Sequence, residues 1–475
     1  MNFADHFAQI SSTASVQANF LTDGRITCHY PEIAAVLRTI GRYLAEQGVH
    51  PDDCLAVECS NTVPGALLLI HLLQQGAGFV LLPPSENKDA ASTLKPVPQF
   101  CRHRVTILPV RKDNLADWMQ RPEFFLRVEL QNPQPATPQT NLRNKLLLRT
   151  SGSMGTAKIV VHSHDKLLGN AGNCVQKYQF TAQDRVVIPV PIFHFYGFGA
   201  EFMPALLVGA AIDLQENTNI LKYLDRERQF QPSIAFVTPN LCEMLLQGKK
   251  TPRQYKAMVT SGQRLKEEHF RALDPLCGHR LVNQYGSTEL GATAACNPGD
   301  PFEMRLGTIG QPMPGVALRL DDDGMLYCRH PYGFLGYMDE TGQWLHQAEE
   351  WHRTGDLAKT LDSGGIEVIG RADSSINRSG YLVLLSDVER ILEQIDGIAQ
   401  VAVVVGKGDN IQGQRLVAFC VLQPNSTLTE AQIRLASSGK LPKYAVPDAV
   451  LVLDAMPMLP SGKVDQQALG NMTGE

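Results

Sequence analysis

Two glycines, several hydroxyl side chains and a lysine crowd into the ten residues RTSGSMGTAK, numbered 149–158. Glycines let backbone N–H groups approach an anion closely, hydroxyls add donors, and a lysine adds a positive point charge. The stretch is therefore typical of a loop that holds phosphate. The residues predicted to contact phosphate are Thr150, Ser151, Gly152, Ser153, Gly155 and Lys158.

This loop does not follow the P-loop pattern GxxxxGK[ST]. Counting from Gly152 puts Ala157 where the second glycine belongs and Ile159 where the magnesium-binding hydroxyl belongs. A P-loop also needs a helix directly after it, whose N-terminus faces the phosphate. The β-branched run 159–161 predicts a strand instead, so we expect the loop to join two strands. Taken alone, the loop is nearly as well explained as a solvated turn.

Other side chains with chemical potential lie in short motifs farther down the chain. These motifs are PIFHFYG (191–197), SGQRL (261–265), NQYGSTE (283–289), RTGD (353–356), GRADSSINRSG (370–380) and LPSGKVD (459–465). Singly, Glu289, Asp356 and Lys463 would be ordinary surface charges, and His194 would be a packed histidine. Together with the glycine loop, the motifs resemble those of the AMP-forming adenylating enzymes, in the same order. That superfamily includes acyl- and aryl-CoA synthetases, peptide-synthetase adenylation domains and luciferases.

The resemblance implies a two-step reaction. A carboxylic acid attacks the α-phosphorus of ATP to give an acyl adenylate and pyrophosphate, and a thiol then captures the acyl group. The carboxylate is already ionised and needs no base, so catalysis consists of positioning two anions and stabilising charge. ATP and Mg²⁺ are the expected cofactors. CoA, or the phosphopantetheine of a separate carrier protein, is the expected acceptor.

The resemblance also assigns roles to single residues. Glu289 would bind Mg²⁺, which takes one or two carboxylates together with phosphate oxygens, and Thr288 would donate to the α-phosphate. Lys463 would be the catalytic lysine that bridges acid and α-phosphate, and His194 is a further predicted catalytic residue. The remaining nucleotide-binding predictions are Asn283, Tyr285 and Gly286 on the adenine side, and Asp356 and Arg371 at the ribose. His162 and His164, which follow the loop strand, are interpreted as structural.

The acid pocket is predicted from His194, Phe195, Gly262 and Gly286. The stretch FHFYG offers no carboxylate to pair with an ammonium, and an unpaired buried charge is costly, which argues against an α-amino acid. Acetate-activating relatives have tryptophan at position 286, so glycine there indicates an open floor and a fatty or aryl acid. Two alternatives stay open: an amino-acid-adenylating protein with an unusual pocket, and a non-catalytic relative that binds nucleotide or an acyl ligand.

Helices alternate with apolar strands along the chain, which predicts α/β layers around a mostly parallel sheet. The segment 30–48, for example, has the spacing of an amphipathic helix. We expect a large N-terminal domain, residues 1–371, of layered α/β subdomains with a β-rich part over 307–370. A small mobile C-terminal α/β domain, residues 372–475, would follow, with its hinge at Asp373.

Composition narrows the partners and the compartment. The net charge of −5 and the scattered Lys and Arg residues predict no nucleic-acid partner. Ten cysteines without a CxxC pair indicate reduced core thiols in a cytoplasmic protein. The longest apolar run is too short to span a bilayer, so no integral membrane segment is expected.

Overall fold

In a computed structural model of the 475-residue chain, two compact units are formed. The structure describes residues 3–84, 96–150, 158–216, 218–248, 252–361, 365–372, 375–378, 381–410, 413–459 and 464–473. The large unit comprises Met1–Leu318, Cys328–His352 and Asp362–Gly365, and the small unit comprises Arg319–Tyr327, Arg353–Leu361 and Ile366–Glu475. The expected mixed α/β fold with a large and a small part is confirmed. The domain boundary between residues 371 and 372 stays a prediction.

Helices and strands alternate through both units. The α-helices are α1 (Phe3–Ser11), α2 (Tyr30–Glu46), α3 (Val63–Gln74), α4 (His164–Tyr178), α5 (Met203–Val208), α6 (Ile220–Phe230), α7 (Pro239–Gln247), α8 (Glu267–Leu273), α9 (Phe302–Gly307), α10 (Leu385–Glu393), α11 (Glu430–Ser438) and α12 (Gln466–Met472). The strands up to residue 300 are β1 (Phe20–Thr22), β2 (Thr27–His29), β3 (Cys54–Glu58), β4 (Gly78–Leu82), β5 (Cys101–Ile107), β6 (Leu126–Leu130), β7 (Lys145–Thr150), β8 (Lys158–Ser163), β9 (Arg185–Ile188), β10 (Ala211–Leu214), β11 (Ile234–Val237), β12 (Ala257–Thr260), β13 (Leu281–Ser287) and β14 (Gly291–Ala295). The later strands are β15 (Gln311–Pro312), β16 (Ala317–Leu320), β17 (Met325–Arg329), β18 (Gly336–Met338), β19 (Trp344–Gln347), β20 (His352–Thr360), β21 (Ile366–Arg371), β22 (Ser375–Arg378), β23 (Tyr381–Leu384), β24 (Ile398–Asn410), β25 (Gly413–Leu422) and β26 (Ala449–Leu453). The succession β15–β21 confirms the β-rich part expected over 307–370.

Helix α2 shows how local sequence sets an element. Its first turn is closed by a capping box between His29 and Glu32, in which the His29 backbone N–H donates to the Glu32 carboxylate at 2.7 Å. The apolar residues that predicted the helix all lie buried on its inner face, among them Ile33, Ile40 and Leu44. The helix ends at Glu46, two residues before Gly48, the last residue of the predicted helical segment.

Two large sheets form the frame of the large unit. The first has the order β19-β18-β8-β7-β4-β3-β5-β6, and the second has the order β15-β14-β13-β12-β11-β9-β10-β1-β2. In the second sheet, the neighbours from β13 through β12, β11, β9 and β10 to β1 all pair in parallel. Strands β9 to β12 are almost entirely buried, as expected for a parallel sheet covered on both faces. The carboxyl ends of these strands therefore meet at one edge.

The glycine loop connects two antiparallel strands. Arg149 pairs with Ile159 and Thr150 pairs with Lys158, so residues 151–157 link β7 directly to β8. This confirms the expectation of a strand after the loop. A P-loop, which requires a helix there, is excluded.

The small unit has its own sheets and core. Strands β24, β25 and β26 form one sheet, β22 pairs with β23, and a four-stranded sheet has the order β16-β17-β20-β21. Helix α10 packs on β24 through Val388 and Leu392, which are fully buried. This core is separate from that of the large unit.

All ten cysteines are buried and free in this structure. Within the described ranges, the helices include none whose length and apolar character would let it cross a bilayer.

Candidate functional site

The motif NQYGSTE lies on β13 and runs into the short turn before β14. The turn closes locally because the Leu290 backbone N–H donates to the Ser287 hydroxyl at 3.2 Å. It presents Thr288 and Glu289, the two residues predicted to meet phosphate and Mg²⁺. Side chains from β8, α4 and β18 then fix it from outside.

From β8, His162 holds the first half of the turn. Its Nε2 lies 2.7 Å from the backbone oxygen of Thr288, and its ring packs on Phe195 with centroids 4.6 Å apart. The side chain is 0% exposed, and burial lowers the pKa of His162 to about 4. The ring is therefore neutral at physiological pH. Because a carbonyl only accepts, the proton sits on Nε2 and is donated to Thr288.

From α4, Asn170 holds the second half of the turn. Its Nδ2 donates to the Leu290 carbonyl at 3.0 Å, and its Oδ1 accepts from the Ala292 N–H at 3.3 Å. Gly291 between them has φ of +70°, and a Cβ there would overlap the Asn170 amide and the Phe195 ring. Only glycine therefore fits between the two side chains.

From β18, Tyr337 orients Glu289. The Tyr337 hydroxyl donates to Glu289 Oε1 at 2.9 Å, and the Phe334 backbone N–H donates to the Glu289 carbonyl at 2.7 Å. Lys158, at the end of the glycine loop, places its Nζ 5.4 Å from the centroid of the same tyrosine ring. Tyr337 thus contacts two predicted site residues, Lys158 over its ring and Glu289 at its hydroxyl.

Glu289 is a single carboxylate, which suits an ion site that is completed by ligands from a bound nucleotide. Across the part of the chain that the structure describes, no group of three or more His, Cys, Asp or Glu side chains is arranged to hold a metal. Glu289 is partly exposed and already oriented by Tyr337. Such a position fits Mg²⁺ bound by one carboxylate together with the phosphate oxygens of a nucleotide.

Two residues predicted on the adenine side, Asn283 and Gly286, are involved in packing within the protein itself. Asn283 donates from Nδ2 to the Arg305 carbonyl at 2.7 Å, at the C-terminal end of α9. The ladder of β13 and β14 is irregular between Tyr285 and Gly286, and a Cβ on Gly286 would overlap the carbonyl oxygen of Gly291. Glycine at 286 is therefore required by the approach of β14, whatever the size of the acid.

The motif PIFHFYG leads into a seven-residue π-helical segment, Tyr196–Phe202. Asn61 fixes the backbone at the start of the motif: the Asn61 Nδ2 donates to the Val190 carbonyl at 2.9 Å, and the Asn61 Oδ1 accepts from the Ile192 N–H at 2.8 Å. His194 is exposed, with its ring 4.4 Å from that of Phe193. His194, predicted as a catalytic and acid-pocket residue, is therefore a surface side chain within this unit and not a packed core histidine.

Two residues near the predicted pocket floor, Tyr196 and Gly262, lie where the parallel strands end. The Tyr196 hydroxyl lies 3.3 Å from the Val237 carbonyl oxygen and 3.1 Å from that of Val259, at the carboxyl ends of β11 and β12. Gly262 follows β12 with φ of +91°, which favours glycine. Ligands of open α/β sheets bind outside this edge of the strands.

In the small unit, the structure brings the two predicted ribose residues together. Asp356 and Arg371 are register partners on β20 and β21, with Arg371 Nη1 3.5 Å from Asp356 Oδ1. The same guanidinium donates to the Thr354 carbonyl at 3.1 Å. A carboxylate and a guanidinium side by side can accept from and donate to neighbouring hydroxyls of one sugar.

Several predicted residues lie outside the described part of the chain. They are Ser151, Gly152, Ser153 and Gly155 of the loop, the hinge residue Asp373, and Lys463. The Thr150 side chain also lies outside it.

Comparisons with known proteins decide the family. Residues 8–338 match the family model of AMP-binding enzymes, and residues 387–463 match that of the AMP-binding enzyme C-terminal domain. The chain belongs to the AMP-binding enzyme family. This membership confirms the resemblance drawn from the seven motifs. It also confirms, at the level of class, the prediction of an AMP-forming acid–thiol ligase that uses ATP and Mg²⁺, with CoA or a phosphopantetheine thiol as acceptor.

Relatives of this AMP-binding enzyme include acid–CoA ligases. It is 26% identical to the indoleacetate–CoA ligase of Aromatoleum aromaticum over 92% of this chain and 91% of that protein. It is 27% identical to a Rhodococcus jostii CoA ligase for a methyl-dioxo-octahydroindenyl propanoyl group, over 67% of this chain. That second match spans 63% of the relative's length, less than two thirds. Among solved structures, ATP-bound MatB from Rhodopseudomonas palustris shares the fold with a TM-score of 0.79 at 19% identity, covering 99% of both chains.

Sequence reasoning missed three residues that position the site. His162 was interpreted as structural, yet it bonds directly to the backbone of Thr288. Asn170 and Tyr337 carried no recognised motif. The available signal was a polar side chain within an apolar run, since His162 follows three β-branched residues of β8.

Proposed function

We propose that this AMP-binding enzyme activates a fatty or aryl carboxylic acid with ATP, releases pyrophosphate and transfers the acyl group to the thiol of CoA. The observation that carries the proposal is the Thr288–Glu289 turn, fixed by His162, Asn170 and Tyr337 beside Lys158. Donors and charges held in place before the substrate arrives cost no reorganisation when charge develops. That is what a reaction between two anions requires.

Different residues of this chain would have different roles in the adenylation reaction. Lys158 would offset charge on the departing pyrophosphate, and the Thr288 hydroxyl would donate to the α-phosphate. Glu289 would hold Mg²⁺, which supplies further neutralisation of phosphate charge when bound. Asp356 and Arg371 would bind the ribose hydroxyls, and Lys463 would contact the acid and the α-phosphate together.

The acid follows from the pocket and from the relatives. The indoleacetate and indenyl-propanoyl ligases act on acids with a ring system. The segment from Phe193 to Tyr196 offers aromatic walls to such a ring or to an alkyl chain. The open pocket floor predicted from Gly286 is no evidence for a large acid, because glycine at this position is required by the packing of β14 against β13.

CoA is the proposed acceptor, and the phosphopantetheine of a separate carrier protein is the alternative. The ending GKVDQQAL, residues 462–469, resembles that of domains that load carriers. We propose the cytoplasm as the location, in keeping with ten buried free thiols.

The deciding experiment is acid-dependent exchange of labelled pyrophosphate into ATP. The panel should contain fatty acids of several lengths, aryl acids and α-amino acids, each with and without Mg²⁺. Exchange with a fatty or aryl acid, followed by thioester formation with CoA, supports the proposal. Exchange with amino acids alone would indicate an amino-acid-adenylating protein instead. Transfer to a holo carrier protein but not to CoA would identify the carrier as the acceptor.

A lysine variant separates the two half-reactions. Lys463→Ala should abolish exchange yet keep thioester formation from a supplied acyl adenylate. Lys443→Ala, an exposed lysine of the same unit, is the matched control and should keep both. Equal loss of both half-reactions in Lys463→Ala would contradict the role assigned to that residue.

A further inference from the structure

An ion pair lies at the base of the glycine loop, where β7 ends. Arg149, the next-to-last residue of β7, donates from Nε to Glu340 Oε1 at 2.9 Å, and its Nη2 donates to Glu340 Oε2. Two parallel bonds between a guanidinium and a carboxylate fix the direction of both side chains as well as their distance. Thr150, the first residue predicted to contact phosphate, follows Arg149 directly. The pair therefore holds the strand immediately before the loop.

Both partners are also tied to the backbone of a third segment. Arg149 donates from Nη1 to the Pro96 carbonyl at 2.6 Å, and the Gln99 backbone N–H donates to the Glu340 carbonyl at 2.8 Å. Glu340 belongs to a tight turn in which Asp339 Oδ1 accepts from two backbone N–H groups farther along the turn, at 2.8 Å and 3.0 Å. The carboxylate that holds Arg149 thus projects from a backbone that is itself fixed.

The short segment 337–340 contacts the chain at both ends of the glycine loop. Tyr337 lies under Lys158, the last residue of the loop, with Nζ 5.4 Å from the ring centroid. Glu340, three residues farther along, holds Arg149 at the start of the loop. The register explains this reach, because β18 pairs with β8 and β8 pairs with β7 next to the loop.

Folding stability alone explains the pair poorly. The side chains of Arg149 and Glu340 are 21% and 33% exposed, and ion pairs that water reaches add little to stability. What a two-bond pair supplies is a defined geometry. A loop that binds phosphate through backbone N–H groups depends on geometry, since the direction of those groups is set by the path of the backbone that carries them.

We propose that Arg149 and Glu340 form a positioning pair for the phosphate loop: the pair sets the direction in which the chain enters the loop and thereby strengthens the binding of the β- and γ-phosphates of ATP. This role rests on the proposed function, because it concerns how the same enzyme binds ATP. Neither side chain contacts the nucleotide in this role. Removal of either partner should therefore have the same effect, and removal of both should be no worse.

Pyrophosphate exchange with ATP and acid varied separately tests the pair. Arg149→Met and Glu340→Met should each raise the Michaelis constant for ATP about threefold to tenfold, which is within the range of coupling between residues in contact. The Michaelis constant for the acid should not change. The double variant should match the single variants, because one interaction is lost in all three. Arg149→Lys and Glu340→Gln each keep one hydrogen-bonding group and should give intermediate values.

Arg143 provides the matched control. It lies just before β7, at the opposite end of the strand from the loop, and it also binds a carboxylate and a carbonyl: Asp52 Oδ1 at 3.2 Å and the Gln75 carbonyl oxygen at 3.0 Å. Arg143→Met should leave both Michaelis constants unchanged. Melting temperatures of all variants separate a purely structural role, which would lower stability without changing the Michaelis constant for ATP.

The remaining outcomes are distinct. If Arg149→Met raises the Michaelis constant for ATP and Glu340→Met does not, Arg149 contacts phosphate by itself and the positioning role is overturned. Unchanged constants in both variants, or effects that multiply in the double variant, overturn it as well, while the ligase function stands. Should the native protein show no exchange with any acid, the proposed function fails. The dissociation constant of MgATP, measured by calorimetry on the same variants, then decides the role of the pair, and a native protein that binds no MgATP overturns both.

Discussion

His162 Nε2 lies 2.7 Å from the backbone oxygen of Thr288, a residue 126 positions farther along the chain. The contact joins the strand that leaves the glycine loop to the turn that carries Thr288 and Glu289. Because the imidazole is buried and neutral, water does not compete for the bond and its direction is fixed. His162 therefore acts as a positioning residue: it touches the backbone of the site and no reacting atom.

Replacing His162 by leucine should slow adenylation without loosening acid binding. The Thr288 carbonyl would lose its buried donor, which costs about 1–3 kcal/mol. If the turn shifts and the whole cost appears in the transition state, kcat falls by roughly fivefold to 150-fold. His162→Gln retains an N–H near the position of Nε2 and should restore most of the rate. Steady-state exchange kinetics with ATP and acid varied separately would measure both effects.

The glutamine variant is what distinguishes positioning from packing. If His162→Gln and His162→Leu lose the same activity, the hydrogen bond is irrelevant and the ring serves only to fill space against Phe195. Melting temperatures should be compared in parallel, so that a loss of folded protein is not counted as a loss of rate.

Tyr337→Phe should weaken the response to Mg²⁺. The variant keeps the ring beside Lys158 but removes the hydroxyl that orients Glu289 at 2.9 Å. Glu289 is partly exposed, so water replaces part of the lost bond, and we expect the Mg²⁺ concentration for half-maximal activity to rise about threefold to tenfold. Titration of exchange activity with Mg²⁺ at saturating ATP measures it. Tyr332→Phe, in the same unit, is the control and should leave the Mg²⁺ titration unchanged. If Tyr337→Phe also gives an unaltered titration curve, then Tyr337 does not orient Glu289 for Mg²⁺ binding.

Gly286→Ala should destabilise the enzyme instead of narrowing its acid range. The added methyl would overlap the carbonyl oxygen of Gly291 across the irregular β13–β14 pair. Overpacking of this kind costs about 1–3 kcal/mol. The melting temperature should fall, and activity should fall in similar proportion for short and long acids. A selective loss of long acids at unchanged stability would instead favour the open-floor interpretation made from the sequence.

The sequence was sufficient for the order of elements and for the family. Apolar periodicity placed α2 within two residues of its observed ends, because a helix that buries one face has apolar residues at a regular spacing. The motifs identified Glu289 and Lys158, but the sequence could not show that Tyr337 joins them, since that contact depends on β18 pairing with β8.

Glu389 in α10 should make the small unit less stable as the pH rises. Burial and the nearby Glu393 raise the pKa of Glu389 from its usual 4.5 to about 7. Between those two values the folded state holds a proton that the unfolded chain has released, so the unfolding free energy is highest below about pH 4.5 and declines as pH passes through about 7. The shift sets an upper bound of about 3 kcal/mol, and partial exposure lowers it.

Glu389→Gln should flatten this dependence, because the amide oxygen can still accept from the Val403 N–H, 2.8 Å away in the native protein, without carrying a charge. Hydrogen exchange of the amides in α10 and β24, measured on the full chain at pH 5.5 and pH 8, reports the local stability once intrinsic exchange rates are corrected. The variant should gain protection at pH 8 and show a smaller gain at pH 5.5, where the unfolded chain has already released its proton while native Glu389 still holds one. Glu393→Gln, which removes only the second cause of the shift, should give a smaller gain. Equal protection of native and Glu389→Gln protein at pH 8 would mean that Glu389 titrates normally.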